Sequence, residues 1–402
     1  MQIKEELKNL IPPLTNDEFN TLEKSILEEG IREPIIVWNG YIVDGHTRYK
    51  IAQKHNLEFK TVEKEFDDME SVKLWMIDNQ KGRRNLTDGW KYELAQVKKA
   101  ILTEKGREKQ KETLMRGNEA PDLSIVDKTE HNTRKEIAQD LGWSTGKTAQ
   151  ADYVWNHAKD QIKDKVKSGD ISINQAYKEV KKEVIATETK KKRAELAEKG
   201  AMVQKDERWN VYCGDMRTWQ SEKQYDFIVT DPPYPKEYLP LWGVLAMRAN
   251  EWLKEGGLLI AMSGQSYLDE IYKLLSEHLT YYWTASYLTP GQPTPLRQVN
   301  VNTTWKPLLI YRKGLYKGKI FGDVFKSDGN DKENHKWGQS ESGMFDIISK
   351  MCLPGQSILD PFCGAGTTGV AALKHGCYFD GLEIELENVN ISKARLQSLN
   401  GG

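Results

Sequence analysis

One segment near the C-terminus constrains the fold of this chain more than any other. Its sequence, SILDPFCGAGTTGVAALKHGCYFDGLEIE from Ser357 to Glu385, has the composition of a strand, a glycine-rich loop, a helix and a second strand. Two parallel strands joined by a helix form the βαβ unit of an α/β sheet. The segment therefore predicts a parallel, doubly wound sheet, and the apolar runs that alternate with helical segments from about residue 206 onward extend it.

The loop of this segment has the features of a nucleotide-binding turn. Gly364 and Gly366 allow a tight turn and the close approach of a ligand, whereas Thr367 and Thr368 start a helix at its positive end. Glu383 ends the next strand, where a carboxylate can accept hydrogen bonds from two ribose hydroxyls. The pattern predicts a site for an adenosine-containing cofactor. Because the glycines have the GxGxxG spacing, a dinucleotide site is one alternative interpretation. A turn that only packs the helix on the sheet is another.

A second signal is the run YDFIVTDPPY, from Tyr225 to Tyr234. Proline cannot donate to a sheet ladder, so Pro232 and Pro233 end the predicted strand abruptly. Asp231 and Tyr234 would then be held at the carboxyl edge of the sheet, where ligands bind in doubly wound folds. An ordinary exposed turn is the alternative for the tetrapeptide taken alone.

Together, DPPY and DPFCGAGTT resemble the amino-methyltransferases of DNA, which use S-adenosylmethionine to methylate N6 of adenine or N4 of cytosine. The order of the two motifs is similar to that of the circularly permuted β class of this family. The resemblance covers residues from about 206 to 400 and implies a Rossmann-like methyltransferase that acts on a flipped base. The DPPY form favours adenine. Cytosine N4 stays open, and RNA is a further alternative substrate.

The resemblance also implies roles for individual residues. Asp231 and the main-chain carbonyl of Pro232 would accept hydrogen bonds from the target amine, Pro233 would stiffen the turn, and Tyr234 would stack on the extruded base. The residues expected at the cofactor are Asp215, Gln339, Ser340, Asp360, Phe362, Gly364, Gly366, Thr367, Thr368 and Glu383.

The segment WKPLLIYRKG, which begins at Trp305, predicts a late strand of the same sheet. It is either a plain core strand or one that also contacts the target. Only about twenty residues separate it from the cofactor segment around Gln339, which is too few for a full target-recognition domain. We therefore expect that another part of the chain selects the target sequence, or that the selection of target sequence is loose.

The first half of the chain begins with a different signal. REPIIVWNGYIVDGH predicts a hairpin that turns at Asn39-Gly40. With the helix that follows, it resembles the ParB amino-terminal fold that is shared with sulfiredoxin. In that family a Gly-x-x-Arg turn at a helix start holds phosphates. Here the turn would serve nucleotide hydrolysis, contact DNA or phosphate, or have a purely structural role. The residues of the implied nucleotide or phosphate site are Gly45, His46, Thr47 and Arg48.

TRKEIAQDLGWSTGKTAQADYVW, within about residues 132–156, has the spacing of a helix-turn-helix with Gly142 at the turn. Its second helix would enter the major groove of double-stranded DNA, and a helical hairpin without DNA contact is the alternative. The side chains expected in the groove are Ser144, Thr145, Lys147, Thr148 and Gln150, with Arg134 and Lys135 near phosphate.

These signals divide the 402 residues into four parts. They are a small α+β ParB-like domain (1–100), a helical region with the helix-turn-helix (101–185), a charged linker (186–205) and the methyltransferase domain (206–402). The main alternative to an enzyme is a ParB-like DNA-binding regulator that carries an idle methyltransferase fold. The sequence does not decide whether the protein forms a homodimer.

The composition excludes several classes of protein. No run approaches the roughly 20 apolar residues of a membrane helix, and the first residues lack the apolar centre of a signal peptide. We therefore expect a cytoplasmic protein without a membrane partner. The four cysteines have no metal-ligand spacing, so no metal is expected. A formal net charge of −1 does not exclude nucleic acid, because the basic residues cluster in the middle of the chain.

Overall fold

The computed structural model describes residues 1–81, 86–114, 126–204, 206–288, 291, 294–297, 299–328 and 340–401. The chain divides into two compact units, Met1–Ala186 and Thr187–Gly402. In the first unit the strands are β1 (Ile35–Trp38), β2 (Tyr41–Asp44) and β3 (Thr61–Glu63). The helices that begin in it are α1 (Glu5–Lys8), α2 (Asn16–Glu29), α3 (His46–His55), α4 (Met69–Lys81), α5 (Asp88–Leu114), α6 (Val126–Leu141), α7 (Thr145–His157), α8 (Asp160–Ser168) and α9 (Ile173–Ala201).

The three strands of the first unit form a sheet in the order β2-β1-β3. β1 and β2 are antiparallel, and β1 and β3 are parallel. Asn39 and Gly40 join β1 to β2 with φ values of 47° and 78°, the left-handed geometry that tight hairpin turns require. The predicted hairpin and its turn are therefore confirmed.

Helix α5 contributes to two of the apolar clusters of the first unit. Leu94 and Ile101 pack in the cluster that contains β2 and α4, whereas Tyr92 and Ala95 pack in the cluster that contains α6 to α9. The predicted domain boundary at residue 100 thus lies inside a helix that the two clusters share. The segment predicted as a charged linker begins inside α9, which continues to Ala201.

The second unit is built on an eight-stranded sheet in the order β11-β7-β10-β6-β5-β12-β13-β4. Its strands are β4 (Trp209–Cys213), β5 (Tyr225–Thr230), β6 (Leu253–Met262), β7 (Thr280–Leu288), β10 (Trp305–Arg312), β11 (Val324–Lys326), β12 (Ser357–Asp360) and β13 (Tyr378–Glu383), and a separate hairpin pairs β8 (Thr294–Leu296) with β9 (Val301–Thr303). Its further helices are α10 (Leu239–Trp252), α11 (Leu268–Ser276), α12 (Glu341–Met351), α13 (Thr367–Lys374) and α14 (Leu386–Gln397).

The prediction of a parallel sheet is correct for five adjacent strands and wrong for one. β4, β13, β12, β5 and β6 all run parallel. β10 is antiparallel to both of its neighbours, β6 and β7. Its apolar centre, Leu308 to Tyr311, is buried as in a parallel strand, and an apolar run alone does not reveal strand direction.

Helices cover both faces of the large sheet, as a doubly wound fold requires. Alternate residues of one strand point to opposite faces. Ile228 packs in the cluster with α10 and α11, whereas Val229 packs in the cluster with α12, α13 and α14. Leu359 and Ile358 divide in the same way on β12. The predicted near-continuous apolar strands therefore reflect burial on both sides.

The order of strands reverses between β5 and β12. The connection through α10 leads from β5 to β6 on one side, and the connection through α13 leads from β12 to β13 on the other. In open α/β sheets, the carboxyl ends of the two strands at such a reversal flank the ligand crevice. DPPY follows β5 and the glycine loop follows β12, so both predicted motifs lie at this point. Among the described residues, no helix is long and apolar enough to cross a membrane.

Replacing Gly200 by alanine should destabilise the second unit. A Cβ there would lie 1.7 Å from the carbonyl oxygen of Asn390 on α14, so α9 would have to move away from α14. Overpacking of this kind costs about 1 to 3 kcal/mol. The higher helix propensity of alanine offsets at most about 1 kcal/mol of this cost, because Gly200 is the last residue but one of α9. Urea unfolding of the full chain measures the change.

Gly243→Ala is the matched control, because this helical glycine has its nearest neighbour, Leu274 Cδ2, at an ordinary 3.4 Å. The control should be neutral or stabilising. Equal effects of the two substitutions would contradict a close contact between α9 and α14.

Candidate active site

The DPPY turn holds a carboxylate and a phenol in direct contact. The Tyr234 hydroxyl donates to Asp231 Oδ1, and the Tyr234 ring lies over Gly264, where a Cβ would be 3.5 Å from ring carbons. Burial and the neighbouring Asp231 carboxylate raise the pKa of Tyr234 well above its ordinary value. The phenol therefore stays protonated and remains a donor to Asp231.

Asp360, at the end of β12, connects the two strand ends. Its Oδ1 accepts from Thr230 Oγ1 at 2.7 Å and from the Phe362 amide at 3.0 Å. Its Oδ2 accepts from Thr368 Oγ1 at 2.6 Å. Burial raises the pKa of Asp360 to about 6 despite these three donors. Asp360 was expected to bind the cofactor directly. Its carboxylate is instead buried and accepts hydrogen bonds from β5, the loop and α13.

The glycine loop has the predicted left-handed turns. Gly364 and Gly366 have φ values of 51° and 79°, and Gly366 is the N-cap of α13. A Cβ on Gly366 would lie 2.6 Å from Ser392 Oγ. Ser392 Oγ donates to the Gly364 carbonyl at 2.9 Å, and Arg395 donates to the Ala365 carbonyl. Helix α14 therefore holds the carbonyl groups of the loop.

The two threonines that follow the loop differ in their contacts. Thr367 Oγ1 accepts from Arg395 at 3.3 Å, whereas Thr368 is buried against Asp360. Ser392 and Arg395 do not appear in the sequence prediction. Three residues apart on one helix, they carry no motif of their own, and only the return of α14 to the loop reveals them.

Glu383 ends β13 and faces the loop. Its Oε2 accepts from the Gly364 amide at 3.0 Å, and its Oε1 accepts from the Glu385 amide at 2.9 Å. A carboxylate has about four lone-pair sites. Glu383 can thus hold the loop and still accept from the hydroxyls of a ligand.

A cavity of about 490 Å³ lies beside Pro233 of the DPPY turn and beside Phe362 at the start of the glycine loop. Four predicted residues line it: Asp215, Pro233, Phe362 and Glu383. The other lining residues, which the sequence prediction missed, come mainly from the segment after DPPY and from the ends of β4 and β13. They are Gly214, Met216, Arg217, Glu237, Tyr238, Pro240, Leu241, Val244, Pro361, Leu382 and Ile384.

Asp215 lies in this cavity beside a cation. Arg217 Nε donates to Asp215 Oδ2 at 2.9 Å, and Arg217 Nη2 donates to the same carboxylate. These hydrogen bonds hold the pKa of Asp215 below its ordinary value. Asp215 is therefore an ionised acceptor at neutral pH.

The predicted residues of the cofactor segment differ in position. Ser340 is the buried N-cap of α12, and its Oγ accepts from the Gly343 amide at 3.3 Å. That bond gives Ser340 a capping role. Gln339 lies outside the described residues.

In the first unit, the predicted helix-turn-helix residues differ in their exposure and contacts. Gly142 has a φ of 65° between α6 and α7, and Ser144 caps α7 through the Lys147 amide at 3.2 Å. Thr145 is exposed and Gln150 is partly exposed. Thr148 is fully buried, so the prediction that it faces the groove is wrong, because its position in α7 points to the core.

Three basic residues of this region have different surroundings. Lys147 Nζ donates to Asp88 Oδ2 at 2.6 Å and lies 4.1 Å from the centroid of the Trp143 ring. Arg134 forms an ion pair with Asp152. Lys135 is exposed.

The predicted phosphate turn in the first unit carries its own counter-charges. Gly45 is the N-cap of α3 with a φ of 91°. The Arg48 guanidinium contacts Asp44 at 3.1 Å and Glu33 at 3.2 Å. His46 is buried, which lowers its pKa, and Thr47 is partly exposed. An anion at this turn would compete with two carboxylates for Arg48.

Comparison with known proteins identifies a family model and several proteins to which parts of this chain are similar. Residues 315–394, about a fifth of the chain, match the family model N6_N4_Mtase, described as DNA methylase. Type II methyltransferase M2.DpnII of Streptococcus pneumoniae is 36% identical over 94 residues, which are 22% of this chain and 35% of that protein. DNA adenine methyltransferase YhdJ of Escherichia coli (strain K12) is 37% identical over 67 residues, which are 17% and 23%.

The chain thus covers about a third or less of the length of these two curated relatives. Among solved structures, the complex of M1.HpyAVI with SAM is 24% identical, with a TM-score of 0.40, over 47% of this chain and 98% of that one. The family match includes the glycine loop and Glu383 but not the DPPY turn.

Asp360→Asn should change how the stability of the protein depends on pH. The pKa of Asp360 is raised from 3.8 to about 6. Between about pH 4 and 6 the folded protein therefore keeps a proton that the unfolded chain releases, and the wild type loses on the order of 3 kcal/mol as pH rises through this window. The amide of the variant does not titrate.

The free energy of unfolding of the variant minus that of the wild type should therefore rise from about pH 4 to 6 and then level off. Urea unfolding of both proteins at each pH measures this difference. A constant difference across the window would mean that Asp360 titrates as it does in the unfolded chain.

Proposed function

We propose that the unit Thr187–Gly402 is an S-adenosylmethionine-dependent DNA methyltransferase that acts on the exocyclic amine of a flipped base, N6 of adenine in particular. One observation carries the proposal. Pro233 of the DPPY turn and Phe362 at the start of the glycine loop line one cavity, and the strands that lead into the two motifs are joined through Thr230 and Asp360. The match of residues 315–394 to a DNA methylase family supports this chemistry. The name of the Escherichia coli relative, DNA adenine methyltransferase, supports adenine as the base.

The cavity fits the proposed cofactor in size and in donor chemistry. A volume of about 490 Å³ is within the range of small-molecule sites. Glu383 retains lone pairs for ribose hydroxyls, Asp215 is an acceptor for an amine on an adenine ring, and Phe362 supplies an apolar wall. When bound, S-adenosylmethionine would supply an electrophilic methyl group.

The DPPY residues would make the target amine reactive. The lone pair of an exocyclic amine is delocalised into the base, so the amine is a poor nucleophile. Asp231 and the Pro232 carbonyl are two acceptors for its two hydrogens, and accepting both favours the pyramidal geometry in which the lone pair can attack. Tyr234 provides a flat surface on which the extruded base can stack, worth about 1 to 3 kcal/mol.

We also propose that the first unit binds double-stranded DNA through α7. The left-handed turn at Gly142, the capped start of α7 and the exposure of Thr145 support this role. Thr148 belongs to the core of the unit instead. The ParB-like fold and an anion at Gly45–Arg48 stay predictions.

Asp231→Ala should lower methyl transfer by about 100-fold or more, with little change in thermal stability or DNA affinity. The measurement is transfer of label from S-adenosylmethionine to DNA, followed by digestion to nucleosides. We expect N6-methyladenine from the wild type. Asp269→Ala, which removes an exposed acid on α11, is the control and should be fully active.

Each other outcome has a definite meaning. Labelled N4-methylcytosine would overturn adenine as the target and retain the class of enzyme. A fully active Asp231→Ala variant would remove Asp231 from the mechanism. A wild-type protein that binds a defined DNA site and transfers no label would favour the DNA-binding regulator.

Lys135→Ala should weaken the binding of duplex DNA and make it less dependent on salt. A lysine that contacts phosphate contributes about one unit to the slope of log affinity against log salt concentration. Fluorescence anisotropy at several salt concentrations measures the slope. Lys24→Ala on α2, also exposed, removes the same charge and should leave the slope unchanged. Equal slopes for all three proteins would contradict a phosphate contact at Lys135.

A further inference from the structure

Lys306 is a charged residue beside the DPPY turn that the proposed mechanism does not use. It is the second residue of β10 and is partly buried. Its Nζ lies 3.4 Å from the Tyr234 hydroxyl oxygen and 5.2 Å from the centroid of the Tyr234 ring. Because the antiparallel β10 begins beside the end of β6, a lysine from late in the sequence reaches a turn more than 70 residues earlier.

The backbone on both sides of Lys306 is fixed by the end of β6. Gln265 Nε2 donates to the Trp305 carbonyl at 3.0 Å. The Ser263 amide donates to the Pro307 carbonyl, also at 3.0 Å. The same end of β6 provides Gly264, which supports the Tyr234 ring. The lysine and the ring that it contacts are therefore positioned by one short segment.

The three side chains form a hydrogen-bonded chain with a defined direction. A lysine ammonium only donates, whereas a phenol both accepts and donates. Lys306 donates to Tyr234, and Tyr234 donates to Asp231. A carboxylate can accept from several donors, so a bond from Tyr234 is compatible with a further bond from an amine.

We propose that Lys306 is a positioning residue for methyl transfer. By holding the Tyr234 hydroxyl, its ammonium fixes the ring on which the base stacks and the carboxylate that accepts from the target amine. This inference rests on the proposed function, and it assigns Lys306 to the transfer step and not to the binding of DNA phosphate.

The position of Lys306 predicts which kinetic constant depends on it. A group that holds reacting groups in place affects kcat, whereas a phosphate contact affects the KM for DNA and its dependence on salt. Because Lys306 acts through the Tyr234 hydroxyl, its effect should require that hydroxyl. Tyr234→Phe keeps the ring and removes the hydroxyl. It therefore separates an effect of Lys306 through the hydroxyl from an effect that does not need the hydroxyl.

The test is a double-mutant cycle on the full chain with Lys306→Met, Tyr234→Phe and the variant that carries both. Methyl transfer to DNA is measured as kcat and KM, and thermal unfolding identifies the folded variants. We expect Lys306→Met to lower kcat about tenfold with KM for DNA within about twofold. In the Tyr234→Phe background, Lys306→Met should lower kcat by less than about twofold.

Two further variants complete the experiment. Lys306→Arg keeps a cationic donor and should recover most of the lost kcat. Lys317→Met removes an exposed charge from the same unit and should behave as the wild type.

A tenfold loss from Lys306→Met in both backgrounds would overturn the inference, as would a rise in KM for DNA with kcat unchanged. Either result leaves an active wild-type enzyme and so leaves the proposed function intact. A wild type that transfers no methyl group to any DNA would overturn the proposed function, and the inference with it.

Discussion

The hydrogen bond from Thr230 to Asp360 joins the last residues of two adjacent strands that lie 130 residues apart in the sequence. Both motifs of the candidate site begin at this junction. On one side of it the chain enters the DPPY turn, and on the other it enters the glycine loop. A buried carboxylate is costly unless its oxygens accept hydrogen bonds. The three donors to Asp360 offset part of this cost, and they tie β5, the loop and α13 into one unit.

Much of the second unit could be predicted from the sequence because its signals are local. The strand that ends at Thr230, the left-handed glycines and the acid at Glu383 each follow from a few consecutive residues and from the rules of backbone geometry. Of the predicted cavity residues, Pro233 and Glu383 follow from such signals, whereas Asp215 and Phe362 follow only from the resemblance to DNA amino-methyltransferases.

The features that could not be predicted depend on contacts between distant parts of the chain. No local sequence signal indicates the antiparallel direction of β10. The same holds for the hydrogen bond from Arg395 to the loop and for the position of Lys306 beside Tyr234. The burial of a side chain also depends on contacts between distant parts of the chain. Asp360 and Thr148 were expected to contact ligands, and the packing around them places both in the interior. A motif identifies the type of a residue, whereas its surroundings determine what it can touch.

The support of the glycine loop by α14 has a consequence for biosynthesis. Ser392 and Arg395 follow the loop carbonyl groups to which they donate by 28 and 30 residues, respectively. Chains are made from the N-terminus, and long-range contacts form only when both partners exist. A chain cut short before α14 would thus carry the DPPY turn without a supported loop. The glycine loop therefore gains these hydrogen bonds only after the residues of α14 have been made.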